Sequence, residues 1–359
     1  MDPPIQETIS NSTNNANPNR SKTLQYRKWS ETAVYSVLVL SGQSAAALLG
    51  RLYYEKGGKS KYMAALVQTA GFPLLLPFII LIKSRDKQTD YSNSTTSDHS
   101  LALPALYACF GTFLAFICML YSIGLMYLPL STFSLICATQ LGFNALFSHL
   151  INAQRLSPPL LNSVFLLTLS SVLLALRPGG APAAAAGGRY AAGFACTLGG
   201  AAGYALLQSL EQRAYGKLLR RQRMKEILDV IFYESMAASF ALALGLFGSG
   251  EWRGLKGEIE GFGTAAAYAA VVVGAAAAWQ VFAVGMVALI LKVSSVFGNV
   301  VSGVGEGLVP VLAVVVFKDG MSGVKVVAFL LAVWGSVSYV YHQFVIDKEN
   351  GNVDPPMGD

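Results

Sequence analysis

Long apolar stretches alternate with short polar ones along most of the chain. A helix needs about 20 apolar residues to cross the hydrocarbon core of a bilayer. Ten stretches qualify: Thr32–Tyr53, Tyr62–Ile82, Leu101–Met126, Leu130–Ile151, Pro159–Leu176, Tyr190–Leu210, Ile227–Phe247, Thr264–Ile290, Val293–Phe317 and Met321–Phe344. None alternates in polarity residue by residue, as the roughly 9–11-residue strands of a membrane barrel do. The pattern predicts an all-α membrane protein of ten transmembrane helices. Residues 1–30 are rich in Asn, Ser and Thr and are expected to form a disordered cytoplasmic tail, with a second tail over 346–359. No basic segment leading into an apolar run opens the chain, so no cleavable signal is expected and the first span acts as the insertion signal.

A Gly/Ala/Pro run over residues 177–189 reads as a linker between two halves of five spans, residues 31–176 and 190–345. A weak echo relates them. Leu156-Ser157-Pro158 and Met321-Ser322-Gly323 open the last span of each half, and Ser131-Thr132-Phe133 and Ser294-Ser295-Val296 open the fourth. An odd number of spans per half gives the halves opposite topology. Inverted repeats that meet at a midplane site are a transporter architecture.

Composition narrows the class further. Charged residues make up 13% of the 359 and hydrophobic ones 53%, whereas soluble proteins carry roughly 25% charge. A soluble multidomain protein, a nucleic-acid-binding domain and a disulfide-stapled module are therefore not expected. Lys and Arg collect in cytoplasmic loops. Placing both termini in the cytoplasm puts 16 of the 26 basic residues on that side. Six of these, Arg213, Lys217, Arg220, Arg221, Arg223 and Lys225, form one loop and read as a positive-inside anchor. The four cysteines lie inside apolar stretches, the three histidines are not spaced as a metal pair, and no phosphate-binding Gly-rich loop is present. No enzyme, metal, cofactor or direct ATP drive is expected, nor a pore, since no ring of charges repeats.

Polar groups in hydrocarbon are costly unless they pair or face a wet cavity. Gln140, Asn144 and Ser148 share one face of the fourth span, and Ser295, Asn299, Ser302 and Glu306 share one face of the ninth. Tyr204 and Gln208 sit together in the sixth, Trp279 and Gln280 in the eighth, Gln43 in the first and Gln68 in the second. Such groups can stitch helices together, at about 0.6–2 kcal/mol each. Several amides combined with aromatics on at least five spans fit a lined cavity better. In the ninth span, Gly298, Gly303, Gly305, Gly307 and Pro310 predict a break near the midplane, and Pro73 and Pro77 allow a kink in the second. Two carboxyl groups, Glu234 and Glu306, lie well inside spans. Desolvation disfavours a charged carboxylate, so both are candidates for carrying a proton or holding a cationic substrate. Glu211, where the sixth span meets the basic loop, is expected to pair with an arginine.

Several blocks resemble the plant purine permeases of the drug/metabolite transporter superfamily. They are Ser41-Gly42-Gln43 with Gly50-Arg51-Leu52-Tyr53-Tyr54, and the long run from Tyr121-Ser122-Ile123-Gly124-Leu125 through Tyr127-Leu128-Pro129-Leu130-Ser131-Thr132 to Gln140-Leu141-Gly142-Phe143-Asn144-Ala145. Trp279-Gln280, Ser294-Ser295-Val296-Phe297, Pro310-Val311-Leu312-Ala313-Val314 and Trp334-Gly335-Ser336-Val337-Ser338-Tyr339 extend the likeness over about Trp29 to Phe344.

The resemblance implies ten helices with both termini cytosolic and proton-coupled uptake, expected at the plasma membrane. The substrates it implies are purine bases, cytokinins or related planar nitrogen heterocycles, alkaloids and vitamin B6 forms among them. It implies a site in which Trp279 stacks on the ring while Gln43, Gln140, Asn144 and Gln280 bond its edge, with Tyr204, Gln208, Asn299 and Glu306 completing it. Base–aromatic stacking contributes about 1–3 kcal/mol. At Gly305-Glu306-Gly307-Leu308 the chain departs from the family's usual Gly-Leu-Pro-Val. Glu306 is then either a contact for a protonated amine or a group facing another helix. Transport without proton coupling, and a membrane receptor or scaffold that binds such ligands without moving them, are the alternatives.

Overall fold

The structure is a computed structural model that describes residues 18–87, 102–154, 188–218 and 224–318, with separate helical positions between 158 and 169 and between 323 and 341. Among the described residues every regular element is helical. The helices are α1 (Pro18–Glu55), α2 (Lys61–Thr69), α3 (Leu76–Lys87), α4 (Ala102–Tyr127), α5 (Leu130–Cys137), α6 (Gln140–Asn152), α7 (Gly188–Leu218), α8 (Met224–Gly248), α9 (Leu255–Gly261), α10 (Ala265–Lys292) and α11 (Ser295–Phe317).

Eight apolar helical stretches are long enough to span a membrane, and they coincide with eight of the predicted spans. Two of them are built from helix pairs, α2 with α3 and α5 with α6. The fifth and tenth predicted spans, most of the linker and the C-terminal tail lie outside the described residues, although Leu161, Phe165, Phe329 and Val333 are helical. The count of ten and the inverted repeat accordingly rest on the sequence alone. α1 begins at Pro18, inside the segment assigned to the N-terminal tail. An i,i+4 pair, Arg27 Nε to Glu31 Oε1 at 3.2 Å, helps carry the helix through these polar residues.

Helix interruptions fall where the chain removes or diverts a backbone bond. α2 starts on Ser60, whose hydroxyl accepts the Met63 N–H at 2.9 Å. It ends at Thr69, and a 3₁₀ turn over Phe72–Leu75 with Pro73 in its first positions leads into α3, as the prolines predict. The second interruption, at Ala138–Thr139, was not expected. There the Thr139 hydroxyl bonds back to the Ile136 carbonyl at 2.6 Å and separates α5 from α6. The break predicted in the ninth span does not occur: α11 is continuous through Pro310. Its glycines serve close packing instead. A Cβ on Gly305 would lie 2.6 Å from Gln43 Oε1, so this glycine lets a polar side chain of α1 reach the helix surface.

The helices close around a centre. α1 packs mainly on α10 and also on α11; α11 packs on α5 and α6, α6 on α7, α7 on α4, and α4 on α8, while α2 fills the gap between α4, α8 and α10. Segments from both halves thus alternate around the ring. Large apolar side chains such as Val37, Phe116, Phe240 and Val315 point outward with at least 60% of their surface exposed, while Gln43, Asn144, Gln208 and Asn299 are buried. Apolar outside and amides inside is the arrangement of a protein solvated by lipid, and the chain is a multi-pass integral membrane protein.

Candidate functional site

A central cavity of about 130 Å³ lies between α1, α2, α4, α7, α10 and α11. A single water needs about 10–15 Å³ on the same measure, so the space suits a small bicyclic ring. Helical periodicity builds its walls. α1 contributes Gln43, Ala47, Gly50 and Tyr54, which recur every three or four residues and keep this wall low until the tyrosine. α4 presents Ile117, Tyr121 and Leu125, and α10 presents Ala275, Trp279 and Phe282. The wall is mostly apolar, with a few polar groups set into it, as small-molecule sites commonly are.

The residues singled out from the sequence divide into two groups. Gln43, Gln140, Tyr204, Trp279, Gln280 and Glu306 line the cavity. The half-buried Trp279 ring stands edge-on to Phe282, with centroids 5.5 Å apart at 86°. Gln43 Nε2 donates to Glu306 Oε1, and Gln43 Oε1 accepts from the Ser302 hydroxyl at 3.2 Å. Glu306 therefore faces another helix and the cavity at once, held by an amide from α1.

Asn144, Gln208 and Asn299 are not brought to the cavity wall. They form a network behind Gln140, which receives the Tyr121 hydroxyl on Oε1 at 3.0 Å and donates through Nε2 to Gln208 Oε1 at 3.2 Å and to Asn299 Oδ1. Asn299 Nδ2 donates to Gln208 Oε1 at 2.7 Å. One turn further along α6, Asn144 Nδ2 donates to the Ala205 carbonyl and the Ser209 hydroxyl, both at 3.1 Å. The Ser148 hydroxyl lies 2.9 Å from that of Ser295. The shared faces read from sequence are real, but on α6 and α11 they turn largely toward α7 and each other.

Glu234 lies away from the cavity, buried between α7 and α8, where it accepts the Tyr215 hydroxyl. Among the described residues Glu211 has no arginine partner, although its neighbourhood in the sequence suggested one. It is buried on α7 beside the Glu234 side chain. The α7 helix runs on to Leu218, so Glu211 sits inside the bundle rather than in the basic loop.

Other cavity residues were missed as site candidates. Gln68 of α2 lines the wall, as do Tyr54, Tyr121 and Ser122. The Tyr54 hydroxyl donates to the Ser122 carbonyl at 2.9 Å. For Gln68 the signal was its amide in an apolar span. For the tyrosines none was available, because a helix-end tyrosine reads equally well as an interfacial anchor. Among the described residues no group of three or more potential metal ligands occurs.

Comparisons with known proteins agree with this architecture. A family model described as purine nucleobase transmembrane transport matches residues 31–349. The chain is 46% identical to Purine permease 21 of Arabidopsis thaliana over 327 residues, 90% of this chain and 83% of that protein. It is 43% identical to Probable purine permease 10 of the same plant over 347 residues, covering 96% and 88% of the two chains. One solved crystal structure aligns with a TM-score of 0.52 at 18% identity, over 87% of this chain and 96% of its own, a likeness of fold alone. Helices solvated by lipid on their outer faces, a ring-sized cavity at their centre and relatives of this similarity lead to one conclusion: the chain belongs to the purine permease family, whose members are membrane transporters rather than enzymes.

Proposed function

We propose that this protein imports purine bases, and related planar nitrogen heterocycles such as cytokinins, through the central cavity by alternating access, with protons as the coupling ion. The plasma membrane is the proposed location and both termini are placed in the cytoplasm, following the distribution of Lys and Arg. The observation that carries the reading is the composition of the cavity wall. An indole, several tyrosines and phenylalanines, two glutamines from α2 and α10 and a carboxyl group from α11 surround a space sized for one flat ring. Aromatic faces bind any heterocycle by stacking, and the polar groups select its edge.

Glu306 is the proposed site of the coupled proton, because it alone joins a carboxyl group to the cavity wall among the residues named for that role. A proton there neutralises the cavity when substrate enters and leaves on the inner side. Glu234, which accepts the Tyr215 hydroxyl and lies beside Glu211, is the second candidate.

Uptake of labelled adenine into cells lacking their own adenine permease tests the proposal. Saturable accumulation, stimulated by acidifying the medium and collapsed by a protonophore, is expected. Accumulation that ignores the protonophore would remove the coupling, and binding without accumulation would point to a receptor.

A further inference from the structure

Two glutamines in the cavity wall are oriented by the main chain in the same sense. Pro73 has no N–H, so the Thr69 carbonyl at the end of α2 lacks the donor that a continuing helix would supply four residues on. Gln280 Nε2 reaches across from α10 and donates to that carbonyl at 3.4 Å. The approach depends on Gly71, where a Cβ would stand 2.5 Å from Gln280 Cγ. On α2 itself, Gln68 Nε2 donates to the Cys118 carbonyl of α4 at 3.2 Å. Turning either amide over would set its oxygen against a carbonyl oxygen, so the hydrogen-bond network assigns both orientations.

Each amide is left with its carbonyl oxygen. Gln280 is 3% exposed, and its Oε1 has no hydrogen-bond partner among the described residues. The partly buried Gln68 makes its hydrogen bonds, to the Ala64 and Cys118 carbonyls, through Nε2. Several hydroxyl and amide donors elsewhere on the wall are engaged inside the protein: Tyr121 on Gln140, Tyr54 on Ser122, Ser302 on Gln43, and Gln43 on Glu306. Among these groups, the Gln280 oxygen is a buried acceptor that the protein leaves open.

We infer that Gln68 and Gln280 make the cavity a reader of hydrogen-bond donors, selecting heterocycles with N–H groups on the ring edge over isosteric rings without them. This rests on the transport reading above and specifies the substrates of that same site. A buried acceptor that meets a methylene instead of an N–H stays unpaired, and a site built around such an acceptor rejects the analogue far more strongly than one that only measures size.

The test is competition against labelled adenine uptake by 6-(methylamino)purine and 6-ethylpurine, which match in bulk and differ by one N–H. In cells expressing the intact chain, 6-ethylpurine should need a roughly tenfold or greater concentration for the same inhibition. In the double variant Gln68→Met, Gln280→Met, which keeps side-chain length and removes both oxygens, the two competitors should become equal. Equal competition in the unaltered protein overturns the inference, and so does a difference that survives in the double variant. Should that variant fail to reach the membrane, the wild-type pair still decides. Absence of any adenine accumulation by the unaltered protein would count against transport itself, a separate outcome.

Discussion

Two polar regions lie side by side in this bundle and are built from the same residue types. Where α6, α7 and α11 meet, Gln140, Asn144, Ser148, Ser295 and Asn299 bond one another or nearby carbonyls. Across the cavity, Gln68 and Gln280 donate to main-chain carbonyls, and the buried Gln280 oxygen has no partner among the described residues. The first region bonds mostly within itself and holds helices together, although Gln208 Nε2 there has no partner among the described residues. The second leaves a buried acceptor on a residue of the cavity wall, which the proposed ligand would complete. Amide content therefore does not separate stitching from recognition; whether the leftover group belongs to a residue of the cavity wall does.

The strongest way to break this contrast is at the carboxyl group between the two regions. Glu306→Gln can still bond Gln43 but cannot bind and release a proton, so stimulation of adenine uptake by external acid should be abolished in transport assays. Retained stimulation, together with its loss in Glu234→Gln, would move the coupled proton to α8. The Gln substitution should also lower uptake of a cationic amine alkaloid more than that of neutral adenine; equal losses would end any role in holding a cation.

Next in size is the aromatic wall. Trp279→Ala should raise the KM for adenine by roughly 5- to 150-fold, the equivalent of about 1–3 kcal/mol of stacking. An unchanged KM would make the ring a packing partner of Phe282 only.

The first region should respond in stability rather than in selectivity. Asn144→Leu removes the bonds to the Ala205 carbonyl and to the Ser209 and Ser148 hydroxyls, with an expected cost of about 1–2 kcal/mol. Thermal unfolding in detergent should show the loss, while competition between adenine and its analogues stays as in the unaltered protein. A changed selectivity would bring this network into the binding site. The smallest effect is expected at the end of the bundle, where Lys292 bonds Glu31 at 2.8 Å with both side chains partly exposed. Glu31→Gln should cost under about 1 kcal/mol and leave uptake unchanged.

Much of this was legible along the chain. Span positions follow from local transfer of about 20 residues into lipid, and α1, α4, α8 and α10 fall close to where the pattern puts them. Periodicity correctly set Gln140, Asn144 and Ser148 on one face, yet did not say what that face meets. Glu211 shows the same limit. Its neighbours in sequence are basic, and its neighbour in space is Glu234. Interruptions were half legible: Pro73 announced one, whereas the bond that Thr139 makes to its own helix, rather than to another, announced nothing.

By itself the sequence determined that the chain crosses a membrane repeatedly, that its polar groups are confined to certain helix faces, and that it is akin to purine permeases. These depend on residue type and on spacing within one helix, both local quantities. Tertiary structure alone decided which amides are consumed by neighbours and which keep an oxygen for a ligand. A hydrogen bond between helices requires two side chains distant in sequence to arrive within about 3 Å of each other, and helix packing as a whole sets that distance.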